Sequence, residues 1–113
     1  YLDNGIIAAL GSDSPVIEAD PMIGLYGAMT RSDKCSGPVA GKGQCIGIMD
    51  AIRMYTYNGA YASLEEDIKG SIEPGKLADL VVLSENILET PVEKIKSVKA
   101  DMTVIDGEIV YER

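Results

Sequence analysis

The arrangement of strand-like segments is the feature that most constrains the fold of this 113-residue chain. Residues 6–10 (IIAAL) form a continuous apolar run of strand length, which is typical of a strand covered on both faces. The other strand-like segments all follow the turn signal Pro74-Gly75, and the sequence between them has helical spacing. The sequence therefore predicts an α/β chain. Its front resembles the last unit of a β/α protein, and its tail resembles part of an antiparallel sheet.

The first predicted helix covers residues 21–29. Its apolar residues, among them Met22 and Leu25, recur at helical spacing. Asp20 is placed to cap this helix, and Pro21 occupies its first position, where a missing N–H costs nothing.

A second helix is predicted after a loop at residues 31–47. Its apolar stripe runs from residue 45 to residue 56, and Asn58-Gly59 is expected to close or kink it before another turn at residues 60–63. Residues 63–66 match a capping box and predict one more short turn, which Gly70 would end.

The tail is expected to be rich in β-structure. Residues 80–83 (LVVL) read as a buried strand, residues 91–96 as one helical turn, and residues 98–104 as a half-exposed strand with alternating polarity. Asp106-Gly107 lies between two strand-like runs, and this pair is the strongest short-range signal for a hairpin with a type I′ turn.

Composition excludes several classes of function. A net charge of −8 repels phosphate backbones and anionic lipid, so neither nucleic acid nor a membrane is expected as a partner. No apolar run approaches the ~20 residues that a bilayer requires. The chain has no histidine, which excludes histidine-based acid–base catalysis and most zinc sites from its own residues.

The start of the sequence and its cysteines suggest a context. The chain begins at Tyr1 rather than at a methionine, and it is expected to be a piece of a larger protein. Asp3 stands where a secretion signal would be basic. Cys35 and Cys45 match no Cys-x-x-Cys motif, and two reduced thiols in a cytoplasmic protein are expected, with a disulfide as the alternative.

Two stretches with possible chemistry are better explained as surface. Residues 37–43 (GPVAGKG) have the wrong glycine spacing for a phosphate loop, and Gly43 stands where a magnesium-binding Ser or Thr would be, which favours a flexible surface loop. A run of acids favours a solvated face over paired catalytic carboxylates, because little apolar sequence surrounds it. Its members are Glu65, Glu66, Asp67 and Glu73.

Asp13 is a stronger candidate. It follows residues 6–10, and the carboxyl ends of strands carry the active site in a β/α barrel. The alternative is that Ser12 or Asp13 only hydrogen-bonds the following turn, for which Pro15 is pre-set.

Four segments together resemble the C-terminal end of the amidohydrolase superfamily, most closely the amidohydrolase 3 type. They are LGSDSPV at residues 10–16, MTR at 29–31, AIRMYTYNGAYAS at 51–63 and GSIEPGKLADLVVLSENI at 70–87. The most specific part is the pattern Thr56-x-Asn58-x-Ala60 followed by the glycine-rich stretch from residue 70.

This resemblance implies a fold and a role for the chain. The family has a (β/α)₈ barrel that carries one or two divalent metals, and a small β-sandwich built from both chain ends. Residues 1–69 would be the end of the barrel with its eighth strand at residues 6–13, and residues 70–113 would supply strands of the sandwich, with the hairpin turn at 106–107.

The resemblance also implies site residues. Asp13 matches the family aspartate that touches the metal and takes a proton from the attacking water. Arg31 is a candidate for the rim of the substrate pocket, although a solvated helix end is the competing interpretation. The full-length enzyme would hold a divalent metal, with zinc expected, and would hydrolyse C–N bonds other than peptide bonds in a small molecule.

The departures from the family pattern limit what this chain can do alone. The other metal ligands are mostly histidines from earlier strands, and a full barrel takes ~250 residues. The chain is therefore expected to be incomplete by itself, inactive and without bound metal. The alternative hypothesis is a stand-alone, non-catalytic module that forms a homodimer through its exposed strands.

Overall fold

The computed structural model describes residues 1–32 and 41–113. In these ranges it contains three α-helices, α1 Pro21–Thr30, α2 Ile48–Tyr55 and α3 Tyr57–Ala62, and three strands, β1 Leu80–Leu83, β2 Ala100–Ile105 and β3 Glu108–Glu112. Short 3₁₀ helices occur at Leu2–Asn4, Lys42–Gln44 and Val92–Ser97. None of the helices in these ranges is long and apolar enough to cross a membrane.

Helix α1 confirms its prediction at both ends. The Asp20 carboxylate accepts a hydrogen bond from the Met22 N–H at 2.9 Å, and Pro21 takes the first position. The helix ends at Arg31, which adopts φ +53° and donates its N–H to the Gly27 carbonyl at 2.8 Å. A positive φ at this position lets the last carbonyls find donors as the chain turns away.

The helical region after the first loop differs from the prediction in where it breaks. The interruption falls at Thr56, with φ −118° and ψ −92°, and Asn58-Gly59 lies inside α3. The Thr56 hydroxyl donates to the Ile52 carbonyl at 2.9 Å, so a side chain satisfies one of the acceptors at the end of α2.

The short turn predicted before Gly70 is present, because the Ile68 and Lys69 N–H groups both donate to the Glu65 carbonyl at 3.0 Å, but the capping box predicted at residues 63–66 is wrong. No helix begins at Ser63, and its hydroxyl lies 2.8 Å from the Glu65 carboxylate and 3.0 Å from the Ala60 carbonyl instead. The hydroxyl therefore closes α3 rather than opening a new helix. Gly70 does adopt φ +92°, as expected of a residue that ends a turn.

Residues 6–10 do not form a strand in the described chain. Two of these residues, Ile6 and Ile7, are 50% and 51% exposed to solvent. A strand needs neighbours on its edges, and the described residues provide none for this segment. It is instead attached to the helices, because the Leu10 N–H donates to the Met54 carbonyl at 3.0 Å and the Asn58 amide donates to the Ala8 carbonyl at 2.8 Å.

The tail forms an antiparallel sheet in the order β1-β2-β3, with Val81 opposite Thr103 and Thr103 opposite Tyr111. The predicted hairpin is confirmed, because Asp106 and Gly107 connect β2 to β3 with φ +50° and +83°. Asp79 supports this turn by accepting the Asp106 N–H at 2.9 Å.

Much of this sheet is uncovered on both faces. Successive residues of a strand point to opposite faces of the sheet. In β1 and in β3, apolar residues that are adjacent in sequence are each about half exposed, so both faces are open to solvent. These residues are Val81, Val82, Ile109, Val110 and Tyr111. The described residues therefore cover neither face completely.

The hydrophobic core joins the helices to the tail. Met22 and Leu25 of α1 and Ala51 of α2 pack with Ile95 and Val98 of the tail. The Lys96 ammonium lies 4.3 Å from the centre of the Tyr26 ring and adds a cation–π contact to the same junction. Residues before and after position 70 thus share one core, and the division into two segments at that position stays a prediction.

We expect Ile95→Ala to lower the free energy of unfolding by about 3 kcal/mol, because Ile95 is fully buried and the change leaves a cavity between α1 and the tail. Ile105→Ala is the matched control: the side chain is 54% exposed, and a loss below about 1 kcal/mol is expected. Urea unfolding of both variants measures the difference. Equal losses would show that this core does not hold the two parts together.

Candidate functional site

The turn around Asp13 leaves the carboxylate of this residue unused. The Ser12 hydroxyl accepts the Ser14 N–H at 3.2 Å, and the Asp13 backbone carbonyl accepts the Val16 N–H at 2.9 Å. Among the described residues, no group hydrogen-bonds the Asp13 carboxylate, which is exposed. Ser12 and the backbone thus shape the turn, and the Asp13 side chain is available for other chemistry.

The backbone of Asp13 adopts φ +56°. This left-handed conformation is uncommon for residues with a Cβ, and aspartate and asparagine are the side chains that tolerate it best. Such conformations cost about 1–3 kcal/mol and are found preferentially at functional sites. The conformation turns the chain away immediately after the segment that the helices hold.

A small cavity lies beside this turn, with a volume of about 70 Å³. Ser12 lines it from the turn, Asp20 and Gly24 from the start of α1, and Tyr55 from the end of α2. A Cβ at Gly24 would overlap the Tyr55 hydroxyl, so any larger residue at this position would displace the Tyr55 side chain. Burial raises the pKa of the Tyr55 hydroxyl above its ordinary value.

The larger concavity of the structure, an open groove of about 890 Å³, is a different place. It runs between the ends of α2 and α3, residues 69–73 and the start of β1, and its lining includes neither Asp13 nor Arg31. This groove is larger than the cavity beside the turn, but the candidate catalytic carboxylate of Asp13 lies outside it.

The helix break at Thr56 connects the helices to the Asp13 segment. In an uninterrupted helix the Met54 carbonyl would accept the backbone N–H of Asn58, four residues later. The break releases this carbonyl, and it accepts the Leu10 N–H instead. The Asn58 side chain is 5% exposed and bonds the Ala8 carbonyl, which satisfies an amide whose burial would otherwise be unfavourable. Its place in the family pattern did not predict this role, since the bond joins residues 50 positions apart.

The segment after α3 packs against it closely. A Cβ on Gly70 would lie 2.7 Å from the Ala60 Cβ and 3.0 Å from the Tyr57 Cα. The Lys76 ammonium holds the same segment by donating to the Glu66 carbonyl at 2.6 Å and to the Ser71 hydroxyl at 2.7 Å. Lys76 therefore has a structural role.

Arg31 stands apart from Asp13. It ends α1, whereas Ser12 and Asp20 line the cavity at the other end, and ten residues of helix rise roughly 15 Å. Its guanidinium lies near Gly41, and its backbone closes the helix. The structure thus does not bring the two candidate residues together in the described chain, and a role of Arg31 at a substrate pocket stays a prediction.

The acidic residues of the central segment are only partly the solvated face that the sequence predicts, because Glu66 Oε2 is buried without a hydrogen-bond partner in the described residues. Hydrogen bonds from Lys69 and then from Ser63 lower the pKa of Glu65, which is the opposite of what a general acid at neutral pH needs. Glu73 lies 3.5 Å from the Lys76 ammonium. The partly exposed Glu65–Lys69 pair contributes little to stability.

Other sequence features fall partly outside the described residues. Residues 37–40 of the glycine-rich stretch and Cys35 are among those, so the state of the Cys35 thiol stays a prediction. In the described part, Gly41 adopts φ +98° and Cys45 is exposed with a free thiol.

The described residues do not form a metal site by themselves. They contain no group of three or more histidine, cysteine, aspartate or glutamate residues placed to hold one ion. Asp13 could supply a single carboxylate, and one carboxylate does not hold a catalytic ion against water. Any metal bound near Asp13 would need ligands from elsewhere.

Comparison with known proteins identifies close similarity over the whole chain. The sequence model described as the amidohydrolase family matches residues 1–111. The chain is 33% identical to YtcJ of Bacillus subtilis (strain 168), which is named as an amidohydrolase, and 32% identical to an N-substituted formamide deformylase of Arthrobacter pascens. These matches cover 99% of this chain in both cases, but only 22% and 20% of the two relatives.

A solved structure gives the same result. The crystal structure of an amidohydrolase from Thermotoga maritima MSB8 superposes with a TM-score of 0.75 at 30% identity, over 99% of this chain and 24% of that one. The chain therefore spans about a fifth of the length of the curated relatives it matches.

We expect Gly70→Ala to destabilise the protein by about 3 kcal/mol or more, because it adds a steric overlap with α3 to an unfavourable positive φ. Gly75→Ala is the matched control: φ is +96°, no described atom lies within 4 Å of the added Cβ, and the expected loss is about 1–2 kcal/mol. Thermal or urea unfolding compares the two. Equal losses would mean that the contact between residue 70 and α3 contributes nothing.

Proposed function

The chain belongs to the amidohydrolase family, and we propose that it is the C-terminal part of a hydrolase that cleaves C–N bonds other than peptide bonds in small molecules. The hydrolytic relatives support this proposal, among them the formamide deformylase and a 5-methylthioadenosine/S-adenosylhomocysteine deaminase of Teredinibacter turnerae. Both names describe reactions at bonds between carbon and nitrogen. Because this chain spans a fifth of such proteins, the activity is proposed for the longer protein.

The observation that carries the proposal is the unused carboxylate of Asp13. A turn-shaping acid would accept the hydrogen bonds of its turn, but Ser12 and the backbone carbonyl of Asp13 do so here. The Asp13 carboxylate is exposed and has no hydrogen-bond partner among the described residues, so a water molecule can reach it. Asp13 is thus available as a general base.

In the proposed reaction, the oxygen of a water molecule forms a bond to the substrate carbon while the Asp13 carboxylate accepts the proton that this water loses. The C–N bond then breaks, and the leaving nitrogen takes up a proton that Asp13 returns. The products are an oxygen-bearing carbon compound and a free amine or ammonia. A positioned general base typically accelerates such a step by about 10²–10⁴-fold.

We further propose that the longer protein holds a divalent metal, with zinc as the expected ion. The family generally uses divalent metals, and such an ion makes a bound water more acidic. The described residues supply no metal site alone, so the proposal assigns Asp13 as one ligand and takes the others from outside this chain. This chain alone is expected to be inactive.

The uncovered surfaces of the chain fit this proposal. Among the described residues, residues 6–10 pair with no strand, and Ile6 and Ile7 are about half exposed, as in a barrel strand without its neighbouring strands. The sheet of the tail exposes apolar residues on both faces, as expected if further strands complete a sandwich. The proposed architecture is therefore the last β/α unit of a barrel followed by strands of a composite sandwich.

The same surfaces support a second candidate function. A stand-alone, non-catalytic module would cover its exposed strands by pairing with a second copy. Sedimentation of the isolated chain separates the candidates. A tight symmetric dimer favours the module, and a monomer favours part of a larger enzyme.

We expect Asp13→Asn to lower kcat of the longer protein by at least about 100-fold, because asparagine tolerates the same backbone conformation but cannot accept the proton. The measurement is amine release from a panel of N-formyl, N-acetyl and N-carbamoyl amines, together with the thermal midpoint, which should not change. Asp3→Asn, at another exposed aspartate, is the control and should remain fully active. Activity retained by Asp13→Asn would leave Asp13 with a role in the turn only.

A further inference from the structure

We infer that Asn58 is a positioning residue for Asp13: its amide fixes the backbone segment that leads into the Asp13 turn, and so places the carboxylate. This inference rests on the proposed function, in which Asp13 is the general base. The inference gives Asn58, the central residue of the Thr56-x-Asn58-x-Ala60 pattern, a role in the reaction.

The first step is the burial of Asn58. It is the single buried polar residue in the part of the chain that the structure describes, at 5% exposure. Its Nδ2 donates to the Ala8 carbonyl at 2.8 Å across 50 positions of sequence. A buried amide no longer forms hydrogen bonds with water, so the loss of its protein partner would leave it unsatisfied at a cost in free energy. The bond between Asn58 and Ala8 is therefore strongly favoured.

The second step is the pairing of this bond with a neighbouring one. The break at Thr56 releases the Met54 carbonyl, which accepts the Leu10 N–H at 3.0 Å. The junction of α2 and α3 therefore offers one acceptor and one donor, and residues 8 and 10 supply the complementary groups. Groups two residues apart on an extended chain face the same side, so both can meet one surface.

The third step is the short path from these bonds to Asp13. Leu10 precedes Asp13 by three residues, and the bond from the Ser14 N–H to the Ser12 hydroxyl spans Asp13 and limits the movement of its backbone. Before Ala8, the backbone bonds of the described chain stay within the first six residues. The junction is thus the nearest fixed point on the N-terminal side of Asp13.

The consequence for catalysis is geometric. A displacement of a catalytic group by about 1 Å can cost roughly 100-fold in rate, even when the altered residue lies away from the chemistry. Losing the Asn58 bond leaves the segment held by the Leu10 bond alone. Substrate contacts need not change, because Asn58 is buried and bonds the backbone of this segment.

The test uses the longer protein with the panel substrate that shows the highest kcat/KM. Asn58→Ala is expected to lower kcat by about 10–100-fold while KM stays within about threefold. In the metal-free protein, the Leu10 amide is expected to exchange its hydrogen faster, because the segment opens more often. Asn86→Ala is the control: this asparagine accepts the Leu88 N–H in an exposed loop of the tail, and its loss should change neither quantity.

Asn58→Gln keeps the amide donor but moves it by one methylene, and it provides a second variant if Asn58→Ala does not fold. It should show a smaller loss of kcat in the same direction. Unchanged kcat in a folded Asn58 variant, or a loss that only follows the folded fraction, overturns the inference and leaves Asn58 structural. A wild-type protein that releases no amine from any panel member overturns the proposed function, and this inference with it.

Discussion

The surroundings of Asp13 depend on the interruption of the helical chain at Thr56. A continuous helix would use the Met54 carbonyl internally and would rotate Asn58 to a different face. With the break, the carbonyl bonds Leu10 and the Asn58 amide bonds Ala8. The Thr56 hydroxyl stabilises the end of α2 by bonding the Ile52 carbonyl. One local departure from helical geometry thus provides the contacts that hold the candidate catalytic segment.

The glycine-rich stretch from residue 70 packs against α3, next to the junction of α2 and α3. Gly70 approaches Ala60 and Tyr57 so closely that no side chain fits between them. Lys76 ties the intervening segment together through its ammonium group, which is mostly shielded from solvent. In the tail, the Asp79 carboxylate accepts the Asp106 N–H and so stabilises the hairpin turn. These residues support the chain without contacting the site.

Several local features could be predicted from the sequence because nearest neighbours determine them. Asp20 and Pro21 define the start of α1, and Asp106-Gly107 defines the hairpin, since each depends on backbone conformations within a few residues. The predicted helix break at Asn58-Gly59 lies two residues after the observed break at Thr56. Glycine and asparagine are ordinary signals for a helix end, but here the tertiary bond to Ala8 keeps Asn58 in α3. The capping box at Ser63 failed for a related reason, because its hydroxyl was already engaged at the end of α3.

By itself, the sequence determined the identity of the candidate acid, the order of the helices and of the tail strands, and the resemblance to the amidohydrolases that the comparisons confirm. Only the tertiary structure decided that Ser12 shapes the turn while the Asp13 carboxylate remains available, and that Asn58 reaches Ala8. It also decided that residues 6–10 stay unpaired in the described chain. The physical reason is range: caps and turns are set by adjacent residues, whereas hydrogen bonds between distant segments exist only after the core of Met22, Leu25, Ile95 and Val98 has brought those segments together.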